Sequence, residues 1–261
     1  MTLDLENIAK ITNDLPFRPI FITVSGAHLY GFESYNSDLD LRGCHWPIAQ
    51  EFLRYSHQKD TFEKMWHKSL YFVNELDIVS HSLLKYIHLL TKQPNGYVIE
   101  QLLSPLSVIT TELHGELVKL AKATISKELS LHYIGFLKNQ KRLGEAQKLK
   151  EIKLVLYQAR IIALSAYLAR TGKIQSNLVL ANEEVKIFDQ SKVLELVEIK
   201  KSGEKNNFPD IKLKEYWLNE LELKEKLINI EFEKSKLPHF DFDLVRLQAD
   251  KLLASLVTIN F

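Results

Sequence analysis

The sequence predicts an α/β protein of the α+β kind: a small mixed sheet with flanking helices over residues 1–108, then an α-helical domain over residues 109–261. Two observations carry this. Up to about residue 105 the chain mixes short apolar runs with Gly- and Pro-marked turns, and beyond it helical periodicity dominates. At 261 residues and 46% hydrophobic composition, the chain has enough apolar side chains for a sizeable core.

Taken in order, Leu5 to Leu15 reads as a short amphipathic helix stopped by Pro16. Ile20 to Val24 is a β-branched apolar run, a buried strand. Gly26 and Gly31 bracket a turn-rich segment, after which Leu39 and Leu41 alternate with Asp40 and Arg42 in the period of a second strand. Leu70 to Val79 reads as a third. Ser80 is placed to cap a helix with Leu83, Leu84, Ile87 and Leu90 on its apolar side, ended by Pro94, Asn95 and Gly96. A short helix follows through Val98 to Leu103. Further helices are expected over 113–125, 131–143, 152–170, 183–199, 211–235 and 244–257, with Gly172 as a stop and 203–207 as a turn.

Bulk composition narrows the function classes. Lys and Arg total 34 against 33 Asp and Glu, a net charge of +1, so the chain as a whole has no pull toward nucleic acid or an anionic membrane, and any such site is local. The lone Cys44 excludes an intrachain disulfide and a Cys-based zinc site, and it suits a reducing cytoplasm. The start lacks a basic, apolar leader, and the longest apolar run, Ile161 to Ala169, is too short to cross a bilayer. The expectation is a cytoplasmic protein without a membrane partner.

The chemistry sits between residues 25 and 43. Asp38 and Asp40 are two apart, so on a strand both carboxylates point to one side. Side by side they repel unless cations lie between them, and their hard oxygens suit Mg²⁺ (or Mn²⁺), which takes one or two carboxylates plus substrate phosphates. A two-ion site needs a third acid from a neighbouring strand. Asp77 fits best, and Glu75, of the same parity, is the alternative. In the turn ahead of the acids, Ser25, Gly26 and Ala27 offer a close backbone approach and free amides for phosphate.

Apolar strand, Gly-containing turn, Asp38-Leu39-Asp40 and a later acid together resemble the DNA polymerase β superfamily signature. More narrowly the chain resembles the RNA-repair-pathway DNA polymerase β family of stand-alone nucleotidyltransferases. Tyr30-Gly31-Phe32 and Ser37 to Arg42 match its first block. Leu76-Asp77, Leu84-Lys85, Leu89-Leu90, Asn95 and Ser104-Pro105 are similar to its second, and Tyr157 and Arg160 to its helical signature. The resemblance implies transfer of a nucleoside monophosphate from a nucleoside triphosphate such as ATP to an acceptor hydroxyl, with an RNA end as acceptor. It implies Asp38, Asp40 and Asp77 as catalytic, metal-holding acids for two Mg²⁺ or Mn²⁺ ions. Where the family has Gly-Ser, this chain has Gly26-Ala27, so a hydroxyl expected near the phosphates or metal is missing and Ser25 is its nearest substitute.

Around this core, Arg42 shares the parity of the acids and either reaches phosphate or neutralises the carboxylates. Lys85 and Arg160 are candidates to bind a triphosphate. Lys138, Lys141, Arg142, Lys148, Lys150 and Lys153 form a basic cluster that suits a nucleic-acid track, against the plain alternative of a solvated face. Two rival functions share the same residues: a nucleotidyltransferase acting on a protein or small molecule, and a non-catalytic nucleotide or RNA sensor, which Ala27 favours.

Overall fold

The computed structural model describes residues 3–47, 60–66, 75–146, 152–203 and 207–259. The fold is mixed α+β, as expected. Its elements in chain order are α1 (Leu5–Thr12), β1 (Pro19–Val24), α2 (Gly26–Tyr30), β2 (Leu39–His45), β3 (Thr61–Trp66), β4 (Leu76–Ser82), α3 (Leu83–Thr91), α4 (Gly96–Leu102), β5 (Ser107–Ile109), α5 (Glu112–Ala123), α6 (Leu129–Ala146), α7 (Ile152–Thr171), α8 (Leu178–Val185), α9 (Gln190–Lys201), α10 (Ile211–Glu225), α11 (Leu227–Lys234) and α12 (Phe242–Ile259).

By internal packing the chain forms two units. The first comprises residues 1–26, 38–125 and 240–261, and the second comprises 27–37 and 126–239. The first holds a five-stranded sheet in the order β3-β4-β2-β1-β5. Strands β2 and β4 are parallel, and the other pairings are antiparallel. Period-two alternation gives the sheet two unlike faces. Ile22, Val24, Leu39, Leu41, Leu76 and Ile78 point to one side and are buried with Ile8 of α1. The opposite side carries Asp40, Arg42, Asp77 and Val79, and farther along it Phe21 of β1 stacks with His114 of α5 and meets Tyr86 of α3 edge-on. Helix α12 returns to this unit and packs on α3 and α5.

The second unit is built on α7, around which α6, α8, α9, α10 and α11 pack. Among the described residues α7 is long and apolar enough to cross a membrane, but most of it is buried inside the protein, which accounts for its composition as a core helix. Segment 27–37 belongs here. Tyr30 and Phe32 each meet Tyr157 of α7 edge-on, and the Lys200 ammonium, on α9, donates to the Ser34 hydroxyl at 3.3 Å.

Several elements differ from expectation. The third strand begins at Leu76, and residues 70–74 of the expected run lie outside the described residues. Strands β3 and β5 were not expected. Ser82, rather than Ser80, caps α3, accepting from the Lys85 amide. The ladder to β2 carries β4 past Ser80 as far as Ser82. The helix expected over 183–199 is two helices, α8 and α9, because Lys186 turns into the left-handed region at φ 52°. Asn182 holds that turn from the side, accepting from the Phe188 amide at 2.9 Å and donating to the Phe188 carbonyl at 3.1 Å. The helix expected over 211–235 divides into α10 and α11 at Lys226, which keeps helical dihedral angles. Gly172 stops α7 as expected, at φ 70° with its amide on the Leu168 carbonyl. Of the turn expected over 203–207, residues 204–206 lie outside the described residues.

Candidate active site

The site starts from register. In the parallel pair β2/β4, Asp40 lies directly opposite Asp77, and Leu39 and Leu41 lie opposite Leu76 and Ile78. Since side chains alternate, the apolar partners fix which side the acids take, and both carboxylates emerge on the same face from adjacent strands. Glu75 precedes β4, and its carbonyl receives the Leu39 amide at 2.9 Å. Asp77, not Glu75, is therefore the acid across from Asp40.

Arg42 stands between the two. One terminal nitrogen lies 2.9 Å from Asp40 Oδ1 and the other 3.1 Å from Asp77 Oδ2. Its Nε donates to the Tyr97 hydroxyl at 3.0 Å, and a terminal nitrogen donates to the Leu41 carbonyl at 2.8 Å. The Arg42 side chain is 13% exposed and those of Asp40 and Asp77 28% and 27%, so the trio sits at the rim of solvent. Burial opposes the guanidinium charge, but the Tyr97 hydroxyl and the Asp40 and Asp77 carboxylates outweigh it, and the pKa lies above its ordinary value. Arg42 thus does the second of the two things its parity allows: it neutralises the acids.

Gly26 belongs to the same construction. It sits at φ 63°, and a β-carbon there would collide with the Asp40 carboxylate. Glycine is required both for the backbone angle and for the room Asp40 occupies. The Ser25 amide donates to the Asp40 carbonyl at 2.8 Å, so that N–H is committed to the sheet and only later amides of the turn remain for a ligand. Ser25 and Ala27 are both buried, Ala27 at the start of α2 in the second unit.

Asp38 precedes β2 and is exposed. Among the described residues, no three His, Cys, Asp or Glu side chains are grouped closely enough to hold a metal ion. Of the three expected acids, register sets Asp40 and Asp77 side by side, and Asp38 lies two residues ahead of Asp40, just before β2. That pair still suits a hard divalent cation, which takes one or two carboxylates and completes its shell with water and phosphate oxygens. Its two oxygens already grip one cationic group.

Farther along the same face, His81 of β4 bonds Thr61 of β3 through Nδ1 at 2.9 Å. Its pKa is lowered to about 4, first by burial and then by the charges of Lys85 and Arg42. Lys85, half-buried in the first turn of α3, therefore bears on the same neighbourhood. Arg160 lies in the second unit, 1% exposed, with its guanidinium 3.7 Å from the centre of the Tyr30 ring. The resembling motifs Tyr30-Gly31-Phe32 and Tyr157/Arg160 thus meet in one aromatic cluster. Of the basic cluster, Lys141 pairs with Glu225, and Lys148 and Lys150 lie outside the described residues. A cleft of about 470 Å³ between α5 and α12 is lined by none of the site residues.

Tyr97 and His81 are the two site neighbours that sequence reasoning missed. For His81 a signal exists: it has the parity of Asp77 two positions beyond Val79. For Tyr97, on a separate helix, none does.

A model of the RNA repair pathway DNA polymerase beta family matches residues 2–255. The chain is also 30% identical over 159 residues to "Uncharacterized protein MJ0002" of Methanocaldococcus jannaschii, an alignment covering 61% of this chain and 63% of the relative.

Proposed function

The chain belongs to the RNA repair pathway DNA polymerase beta family, and on that premise we propose that it transfers a nucleoside monophosphate from a nucleoside triphosphate to an acceptor hydroxyl, with an RNA end as the acceptor. One observation carries the reading: Asp40 and Asp77 face each other across parallel strands, beside a glycine turn and with a guanidinium between them.

Asp38, Asp40 and Asp77 are the residues that would hold divalent cations, Asp40 and Asp77 from facing positions on β2 and β4. When bound, Mg²⁺ or Mn²⁺ supplies charge for the triphosphate and lowers the pKa of the acceptor hydroxyl. The acceptor oxygen forms a bond to the α-phosphorus, the bond from that phosphorus to the bridging oxygen breaks, and pyrophosphate leaves with the electron pair. The acceptor's proton passes to Asp77 or to solvent. Arg42 and Lys85 provide cationic charge for the phosphates, and such reactions ask little of a protein beyond positioning and charge.

The test is pyrophosphate release from each of the four ribonucleoside triphosphates with Mg²⁺ or Mn²⁺, with and without RNA bearing a free 3′-hydroxyl, in wild type and in Asp40→Ala, Asp77→Ala and Asp38→Ala. Metal-dependent release that RNA stimulates and each of the three substitutions abolishes is the expected result. Release that RNA leaves unchanged would move the acceptor to a protein or small molecule. Nucleotide binding without release under every condition would replace the enzyme with a nucleotide sensor, the second reading, which Ala27 in the turn favours.

A further inference from the structure

We infer that Arg42 is an exchangeable counter-cation: its guanidinium and a divalent metal ion compete for the same Asp40–Asp77 pair. The inference rests on the reading above and adds to it the way metal entry is controlled.

The geometry requires competition. Both ends of the guanidinium are engaged, one nitrogen on each carboxylate, at 2.9 and 3.1 Å. A Mg²⁺ ion binds oxygen at about 2.0–2.1 Å and demands near-octahedral surroundings. It cannot share the space between the same two oxygens with the fork of an arginine. Arg42 has no way to yield by losing its proton, since a guanidinium stays charged in proteins and its neighbours strengthen that charge. It yields only by moving.

The structure also indicates why movement is feasible. Within the trio, two carboxylates face one guanidinium, so one negative charge is left uncompensated and a divalent cation gains more there than Arg42 does. The side chain stands at the solvent rim, 13% exposed, rather than in a sealed core. Its Nε is held separately by the Tyr97 hydroxyl at 3.0 Å. That contact lies off the carboxylates and tethers the guanidinium beside the site. Tyr97 is thus the second half of the device, setting how firmly Arg42 stays between the acids. The unbound protein keeps its acids half-compensated, and the resident charge is a guanidinium suited to bidentate contact with phosphate.

The experiment is Mn²⁺ binding, followed by the loss of the free-ion electron paramagnetic resonance signal, in wild type, Arg42→Gln, Tyr97→Phe, Asp40→Asn and Arg42→Gln/Asp40→Asn. Competition predicts that Arg42→Gln binds Mn²⁺ about tenfold more tightly than wild type, that Tyr97→Phe gains a few-fold, and that the gain disappears when Asp40 is also changed. In wild type, the assigned Arg42 Nη–H resonances should shift and exchange faster with water as Mg²⁺ is added, a readout that needs no altered protein. Unchanged or weaker Mn²⁺ binding in Arg42→Gln, a gain that survives Asp40→Asn, or an Arg42 resonance unmoved at saturating Mg²⁺ would each overturn the exchange. If Asp40→Asn still weakens Mn²⁺ in those cases, the metal reading of the acid pair stands without it. Failure of both wild type and Arg42→Gln to bind Mn²⁺ would remove both.

Discussion

Two arginines, one in each unit, are both withdrawn from water, one set between carboxylates and the other laid on an aromatic ring. Arg42 lies between two carboxylates and a tyrosine hydroxyl on the sheet of the first unit. Arg160 lies on α7 of the second, with its guanidinium against the Tyr30 ring and Tyr157 touching the same ring edge-on. A guanidinium held by charge sits where another cation can replace it. A guanidinium held by a ring face contributes packing and cation–π attraction that no free ion reproduces. The first arrangement suits a site that changes occupants, and the second suits a fastening that keeps segment 27–37 on its helix.

The largest expected effect breaks the comparison at its functional end. Asp40→Ala should cost about a hundredfold or more in pyrophosphate release, the scale of losing one charge-stabilising group, with little change in the thermal unfolding midpoint. Arg160→Ala should do the reverse, lowering unfolding free energy by about 3 kcal/mol through the lost stack and the cavity left behind. Urea unfolding of both variants decides the matter: an Arg160→Ala protein as stable as wild type but inactive would assign Arg160 to the substrate. Next in size is Gly26→Ala. A left-handed angle and a collision with Asp40 should together cost about 2 kcal/mol of stability, and a more stable Gly26→Ala protein would show that the turn adapts.

The smallest effect concerns pH. His45 bonds Ser80 at 2.8 Å and has its pKa lowered from 6.5 to about 4, first by burial, then by His81, with Asp60 opposing. It is neutral when folded, whereas the unfolded chain takes up its proton near the ordinary value. Its contribution is therefore complete above about pH 6.5 and is lost as pH falls toward 4. The urea midpoint should fall between pH 7 and 4.5, and less steeply in His45→Gln. Equal slopes in the two proteins would assign acid sensitivity elsewhere.

What was legible in the sequence follows the same division. Asp40 and Asp77 could be assigned to one face because alternation with Leu39, Leu41, Leu76 and Ile78 survives folding unchanged. The split of function between faces was readable from four apolar residues. The grip of Arg42 on both acids was not, because parity says where a side chain points and not which neighbour it reaches first. Tyr97 arrives from α4, 55 positions beyond Arg42, a distance no local pattern spans. Strand β3 escaped because Glu63, Lys64 and Met65 are exposed along an edge and carry no apolar alternation. The left-handed break at Lys186 escaped because its cause is the Asn182 side chain rather than a glycine or proline at the turn.

The return of α12 to the first unit has a consequence for the order of synthesis. Helices α3 and α5 leave the ribosome more than a hundred residues before Phe242–Ile259, the helix that covers them. At about 5–20 residues per second, α3 and α5 wait on the order of ten seconds for this packing partner. Nascent chains arrested before residue 240 should expose α3 and α5 to protease, and chains long enough to release α12 should protect them.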